Sequence, residues 1–280
     1  MNSECRLKRQ KNLMLISKLK ERAFLKFKHL LIVCIMLMLS GCSTYSLKDR
    51  DGNSIPVLLG AYPVDQKKTA PTVLIAHGSD GVQNFHREWA IRIQSWGYNA
   101  VIIDHYSLRG VGVHTGQVLA GVRGEDRARD MVHAGHWIST QPWHQGKMGV
   151  IGFSQGGAGV LALVAIQEDV EYFKIVKKSE KIPYTAAVAF YPGCTISPPP
   201  INPTIPTQIH LAGDDTLAFI GFCSPLNDPL YDVHKYLGAT HAFDVSIPSS
   251  VSLNFLHRYD PSVTKESQEK TRKFLDRLLR

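Results

Sequence analysis

Apolar positions in this chain fall into short continuous runs separated by stretches with helical spacing. TVLIAHG (72–78), NAVIIDHY (99–106), KMGVIGFS (147–154), TAAVAFYPG (185–193) and TQIHLAGDD (207–215) are apolar runs closed by glycine or polar residues. Each predicts a strand buried on both faces. YDVHKYLGATHAFD (231–244) predicts a sixth strand running into a loop. Between and after these runs, FHREWAIRIQSWG (85–97), EDRARDMVHAGHWIST (125–140), QGGAGVLALVAIQ (155–167) and KESQEKTRKFLDRLL (265–279) predict helices. Residues 43–70, a polar start and the short apolar piece IPVLLGAYP, predict edge strands. Glycine-rich 107–124, proline-rich 195–206 and 246–263 read as irregular. Apolar strands alternating with helices call for an α/β fold: one mostly parallel sheet with helices on both faces.

Charge is unevenly spread, and this changes what the +8 net charge means. Residues 1–41 carry nine Lys/Arg and two Asp/Glu, leaving 23 and 22 for the remainder. The near-neutral body gives no electrostatic reason to expect a nucleic-acid partner. In the leader, Lys18, Lys20, Arg22, Lys26 and Lys28 precede LLIVCIMLML, and LSGC follows at 39–42. The apolar run is too short for a spanning helix and suits a signal peptide. LSGC resembles the bacterial lipobox, whose cysteine is lipidated. Residues 1–41 are therefore expected to be a lipoprotein signal peptide and Cys42 the lipidation site. The expected location is the cell envelope, held to membrane by the lipid; Ser43 after the cysteine favours the outer membrane, facing the periplasm. Starts at Met1 and at Met14 both remain open. Residues 42–280 are expected to form one domain. Its two cysteines, Cys194 and Cys223, are either a disulfide of an exported protein or two buried thiols.

Candidate chemistry centres on Gly152-Phe153-Ser154-Gln155-Gly156, which matches G-x-S-x-G where a predicted strand meets a predicted helix. A serine there sits on a tight elbow with a helix N-terminus behind it. Its hydroxyl needs a base and an orienting acid, and in hydrolases with this elbow the order along the chain is Ser, acid, His. Of the downstream histidines, His210 and His234 lie inside strands, and His257 lies in irregular sequence. His241 follows the sixth strand, at the end where ligands collect, and is the candidate base. Asp215 is the first candidate acid and Asp214 the second; spacing alone does not separate them. The oxyanion donors are expected at the N–H of Gln155 and at that of Ser79 or Asp80. His77 reads as a buried turn residue. Arg109 either binds a substrate carboxylate or braces its loop. His133 and His136 share a helix face without a third ligand nearby in sequence, so no metal is expected.

LIAHGSDG, DHYSLRG, VIGFSQGG, AFYPGC, LAGDDTLA and GATHAFD occur in that order across roughly residues 50–280. Together they resemble the dienelactone hydrolase family of α/β-hydrolases. The resemblance implies a sheet of about eight strands, no metal or other cofactor, nucleophile Ser154, base His241 and Asp215 as the favoured acid. It also implies pairing of Cys194 with Cys223. The dienelactone-cleaving enzymes use a cysteine nucleophile, so Ser154 is a departure and implies a general carboxylesterase acting on a small-molecule ester. Peptidase or thioesterase activity on the same triad, and a non-catalytic envelope binding protein, are the rival expectations.

Overall fold

The computed structural model describes residues 43–48, 54–64, 69–111, 122–165, 182–194, 203–217, 223, 228–246, 250–252 and 255–280. The leader, Cys42, the middle of the glycine-rich loop and most of the proline-rich segment lie outside the described residues.

The elements in chain order are β1 (Ser43–Lys48), β2 (Ser54–Tyr62), β3 (Ala70–Ala76), α1 (Asn84–Ser95), β4 (Asn99–Asp104), α2 (Gly124–Ser139), β5 (His144–Phe153) and α3 (Gln155–Val164). They continue with β6 (Ala186–Phe190), β7 (Thr207–Ala212), β8 (Tyr231–Tyr236), a short hairpin β9 (Ser250–Ser252) and β10 (Phe255–His257), and α4 (Pro261–Leu279). Eight strands form one sheet in the order β1-β2-β4-β3-β5-β6-β7-β8. In this sheet β1 and β2 pair antiparallel, as do β2 and β4, and its other pairs are parallel.

Strand alternation divides the core into two layers. Leu74, Ala76, Val150, Ala187 and Ala189 join Met131, Ile138 and Leu161 of α2 and α3. Val73, Ile75, Ile151, Val188 and Phe190 join Trp89, Phe274 and Leu275 of α1 and α4 on the other face. Both faces are therefore covered, which accounts for the absence of polar alternation in the central strands.

Some boundaries differ from the pattern-based reading. Within 43–70 the polar start forms the edge strand β1, while the apolar piece, β2, lies one strand inside because β1 covers its outer side. β8 stops at Tyr236, where Leu237 and Gly238 form a turn with Gly238 at φ 76°. α4 begins at Pro261 instead of Lys265: Asp260 caps it, accepting from the N–H groups of Ser262 and Val263 at 3.0 Å each, and proline suits the first turn.

From β3 the chain passes to β4 on one side and later to β5 on the other. The carboxyl ends of β3 and β5 therefore flank a topological switch point, where open α/β sheets place their ligands.

Candidate active site

Ser154 follows β5 directly and caps α3 with φ 53° and ψ −114°, a conformation that a non-glycine residue adopts only under strain. The turn is tight because its flanks carry no side chains. A Cβ on Gly152 would lie 2.2 Å from the Gly156 carbonyl oxygen, and one on Gly156 would lie 2.4 Å from that of Ala76. The Ser154 N–H donates to the Phe190 carbonyl at 3.0 Å, tying the elbow to β6.

The structure brings three of the sequence candidates together. His241 Nε2 is 2.9 Å from Ser154 Oγ, and His241 Nδ1 is 2.7 Å from Asp215 Oδ2. The second carboxylate oxygen of Asp215 accepts from the Leu217 N–H at 2.9 Å. An ionised carboxylate can only accept, so the imidazole proton facing it resides on Nδ1. Nε2 is then the lone pair that accepts the serine hydroxyl. His241 and Asp215 are buried, Ser154 is half-buried, and Asp214 is exposed on the next position of the same turn.

His241 reaches back over the ends of β6 and β7 because its loop is pinned. The Arg258 N–H donates to Thr240 Oγ1 at 2.8 Å, and the Asp260 N–H donates to the Phe243 carbonyl at 2.8 Å. Tyr191, at φ 34°, lays its ring 4.8 Å from the His241 ring and donates its hydroxyl to Asp244 Oδ1 at 2.8 Å. Trp89 Nε1 donates to the other Asp244 oxygen at 3.1 Å. Burial raises the Asp244 carboxyl to about 6, against the pull of these two donors. Ser154, Tyr191 and Ala242 are the three non-glycine residues with positive φ among the described residues, and all lie at this site. Tyr191 and Asp244 were not singled out from the sequence. Asp244's position three residues after His241 in GATHAFD was the available signal.

The loop after β3 is equally ordered. His77 Nε2 accepts the His105 N–H at 3.0 Å, and Nδ1 lies 2.6 Å from the Gly78 carbonyl, so Nδ1 carries the donated proton. Burial holds the His77 ring well below the ordinary histidine range and keeps that tautomer neutral. Ser79 is half-buried and Asp80 exposed on the turn that follows. Gln155 is buried, with Oε1 accepting from Tyr106 at 2.5 Å and from Arg127 at 2.9 Å. Arg109 braces its loop: it grips both oxygens of Asp130, at 2.8 and 2.9 Å, and donates to the His105 carbonyl. His210 packs in the interior against Tyr236 and Thr271, and His257 lies in the β10 strand. Among the described residues no group of three or more His, Cys, Asp or Glu could hold a metal ion. Cys194, just past β6, is joined to Cys223 by a disulfide.

Comparison with known proteins agrees with this architecture. The model of the dienelactone hydrolase family matches residues 59–279. Carboxymethylenebutenolidase of Pseudomonas putida is 25% identical over 222 residues, covering 71% of this chain and 84% of that protein. A dienelactone hydrolase-like promiscuous phosphotriesterase from metagenomic libraries superposes with a TM-score of 0.62 at 20% identity, over 86% of this chain and 100% of the other. A thermophilic esterase of Thermogutta terrifontis, solved with propionate bound, superposes with a TM-score of 0.56 at 15% identity, over 85% and 94%. The fold is that of an α/β-hydrolase, and the chain belongs to the dienelactone hydrolase family.

Proposed function

We propose that this chain is a serine hydrolase that cleaves carboxylic esters. The observation that carries the reading is the unbroken pair of hydrogen bonds from Ser154 Oγ through His241 to Asp215. In this mechanism Ser154 Oγ attacks the ester carbonyl carbon while His241 Nε2 takes its proton. Asp215 keeps the second imidazole proton on Nδ1 and stabilises the imidazolium. The oxyanion of the tetrahedral intermediate is held by the N–H groups of Gln155 and Ser79. Collapse breaks the bond to the alcohol, which leaves with the proton from His241, and the acyl group stays on Ser154. Water then gives its proton to the same nitrogen, attacks the acyl-enzyme and releases the acid.

The test is a fluorophosphonate probe on the full-length chain, with peptide mapping of the adduct. One adduct on Ser154, absent from Ser154→Ala and suppressed in His241→Ala, is expected. No adduct on folded protein refutes the reading in favour of an envelope binding protein. Matched oxygen-ester, thioester and peptide substrates then decide among the three hydrolytic chemistries. A lipid anchor at Cys42 is part of the same proposal, supported by the basic and apolar leader and LSGC. Metabolic palmitate labelling that survives Cys42→Ser would refute it.

A further inference from the structure

Arg127, on the first turn of α2, is fully buried, and among the described residues every hydrogen bond it makes goes to a neutral oxygen. Nη1 donates to the His77 carbonyl at 2.8 Å. Nη2 lies 2.7 Å from the Tyr106 hydroxyl, 2.9 Å from Gln155 Oε1 and, at the long limit, 3.5 Å from the Gly78 carbonyl. Nε has no partner. The acid one turn along, Asp130, is bonded by Arg109 through both oxygens and by His105 Nδ1 at 2.7 Å. A guanidinium kept from water without a bonded carboxylate is costly. Met131, Ala134 and Ile138 share its face of α2, so an apolar side chain would suit the position by packing alone.

What the cation holds explains its place. In a trans peptide the C=O and N–H point in opposite directions. The Gly78 carbonyl receives His77 Nδ1–H on its buried side, with Arg127 Nη2 at 3.5 Å, while Nη1 of the same fork holds the preceding carbonyl, that of His77. The Ser79 N–H, which shares the Gly78 peptide, is thereby aimed away from the interior. Through Gln155 Oε1 the same fork grips the residue that follows the nucleophile. One side chain therefore spans the β3 loop and the elbow.

We infer that Arg127 is the positioning residue for both halves of the oxyanion hole. The inference rests on the serine-hydrolase reading. It predicts that removing the charge weakens transition-state binding while leaving ground-state substrate binding intact.

The test compares wild type with Arg127→Gln, Arg127→Lys and Tyr106→Phe in the full-length chain. Three quantities are read: the rate constant of fluorophosphonate labelling at Ser154, and kcat and KM on a short-chain nitrophenyl ester. In Arg127→Gln the labelling rate and kcat should fall together by about 10- to 100-fold with KM within about twofold. Arg127→Lys keeps the charge without the fork and should recover part of the loss. Tyr106→Phe deletes one oxygen shared by Arg127 and Gln155 and should show the same split at about threefold; it carries the test if the Arg127 variants do not fold. Unchanged labelling in a folded Arg127→Gln protein, or a rise in KM without loss of labelling rate, overturns the inference. Wild type that labels at Ser154 but turns over no ester would refute ester hydrolysis alone, and the labelling rates would still judge Arg127.

Discussion

Gly156→Ala is the most direct test of the elbow. Its new methyl would lie 2.4 Å from the Ala76 carbonyl oxygen, 2.6 Å from that of His77 and 2.8 Å from the Ala76 carbonyl carbon. All three are backbone atoms, so no rotamer change relieves the clash. Reaching ordinary contact requires about 1 Å of movement between α3 and the end of β3, and overpacking of this kind costs about 3 kcal/mol. For a chain of this size that lowers the melting temperature by roughly 6–12 °C. The same movement displaces Ser154 from His241, whose atoms now meet at 2.9 Å, and a misplacement of about 1 Å costs on the order of 100-fold in kcat. Gly157→Ala is the control in the same helix, because its methyl would meet nothing closer than 3.1 Å. Differential scanning calorimetry and Ser154 labelling rates on both variants are the assay. Gly156→Ala with wild-type melting and labelling, or Gly157→Ala equally damaged, would refute the close-approach argument.

Three further outcomes follow from the geometry. Asp215→Asn turns an amide N–H toward His241 Nδ1 and moves the ring proton to Nε2, so kcat should fall by about 10⁴-fold, while Asp214→Asn should stay within about twofold; steady-state kinetics separates the two acids. His77, His86, His105 and His210 are all held below the usual histidine range by burial, His86 to about 3. Neutral in the fold but protonated when unfolded below pH 6.5, they contribute stability that is lost as pH falls. At pH 5 His86 alone accounts for about 2 kcal/mol, while Asp244, raised to about 6, returns roughly 1.4. The melting temperature should therefore drop between pH 7 and 5, and a rise would contradict the burial argument. Replacing both Cys194 and Cys223 by serine opens a loop with a sequence separation of 29, which should cost about 3–4 kcal/mol and roughly 7–14 °C in melting temperature by calorimetry.

Legibility in the sequence followed physical locality. The buried strands were readable because a strand covered on both faces must be apolar at every position, as in VLIA and AVAF. The elbow was readable because close approach of strand and helix leaves room only for glycine at 152 and 156. His241 stood out by its place after a strand. Asp214 and Asp215 are neighbours, however, and no local rule says which points to the site. The start of α4 was misjudged because the hydrophobic period is weak in PSVT, whereas the Asp260 cap and Pro261 define the first turn. Arg127 left one trace, a cation in the apolar stripe of α2, but its partners come from positions as distant as 77 and 155.

By itself, then, the sequence determined the alternation of buried strands and covering helices, the serine at a strand-to-helix junction, and a histidine and an acid in workable order. These depend on residue type and near-neighbour spacing, which the chain carries directly. Only the tertiary structure decided that Asp215 and not Asp214 bonds His241, that Arg109 braces instead of facing a ligand, and that Asp244 and Arg127 stand buried behind the site. Each of those outcomes depends on the relative placement of segments far apart in sequence. That placement is set by packing the whole sheet between its helices, and no local pattern encodes it.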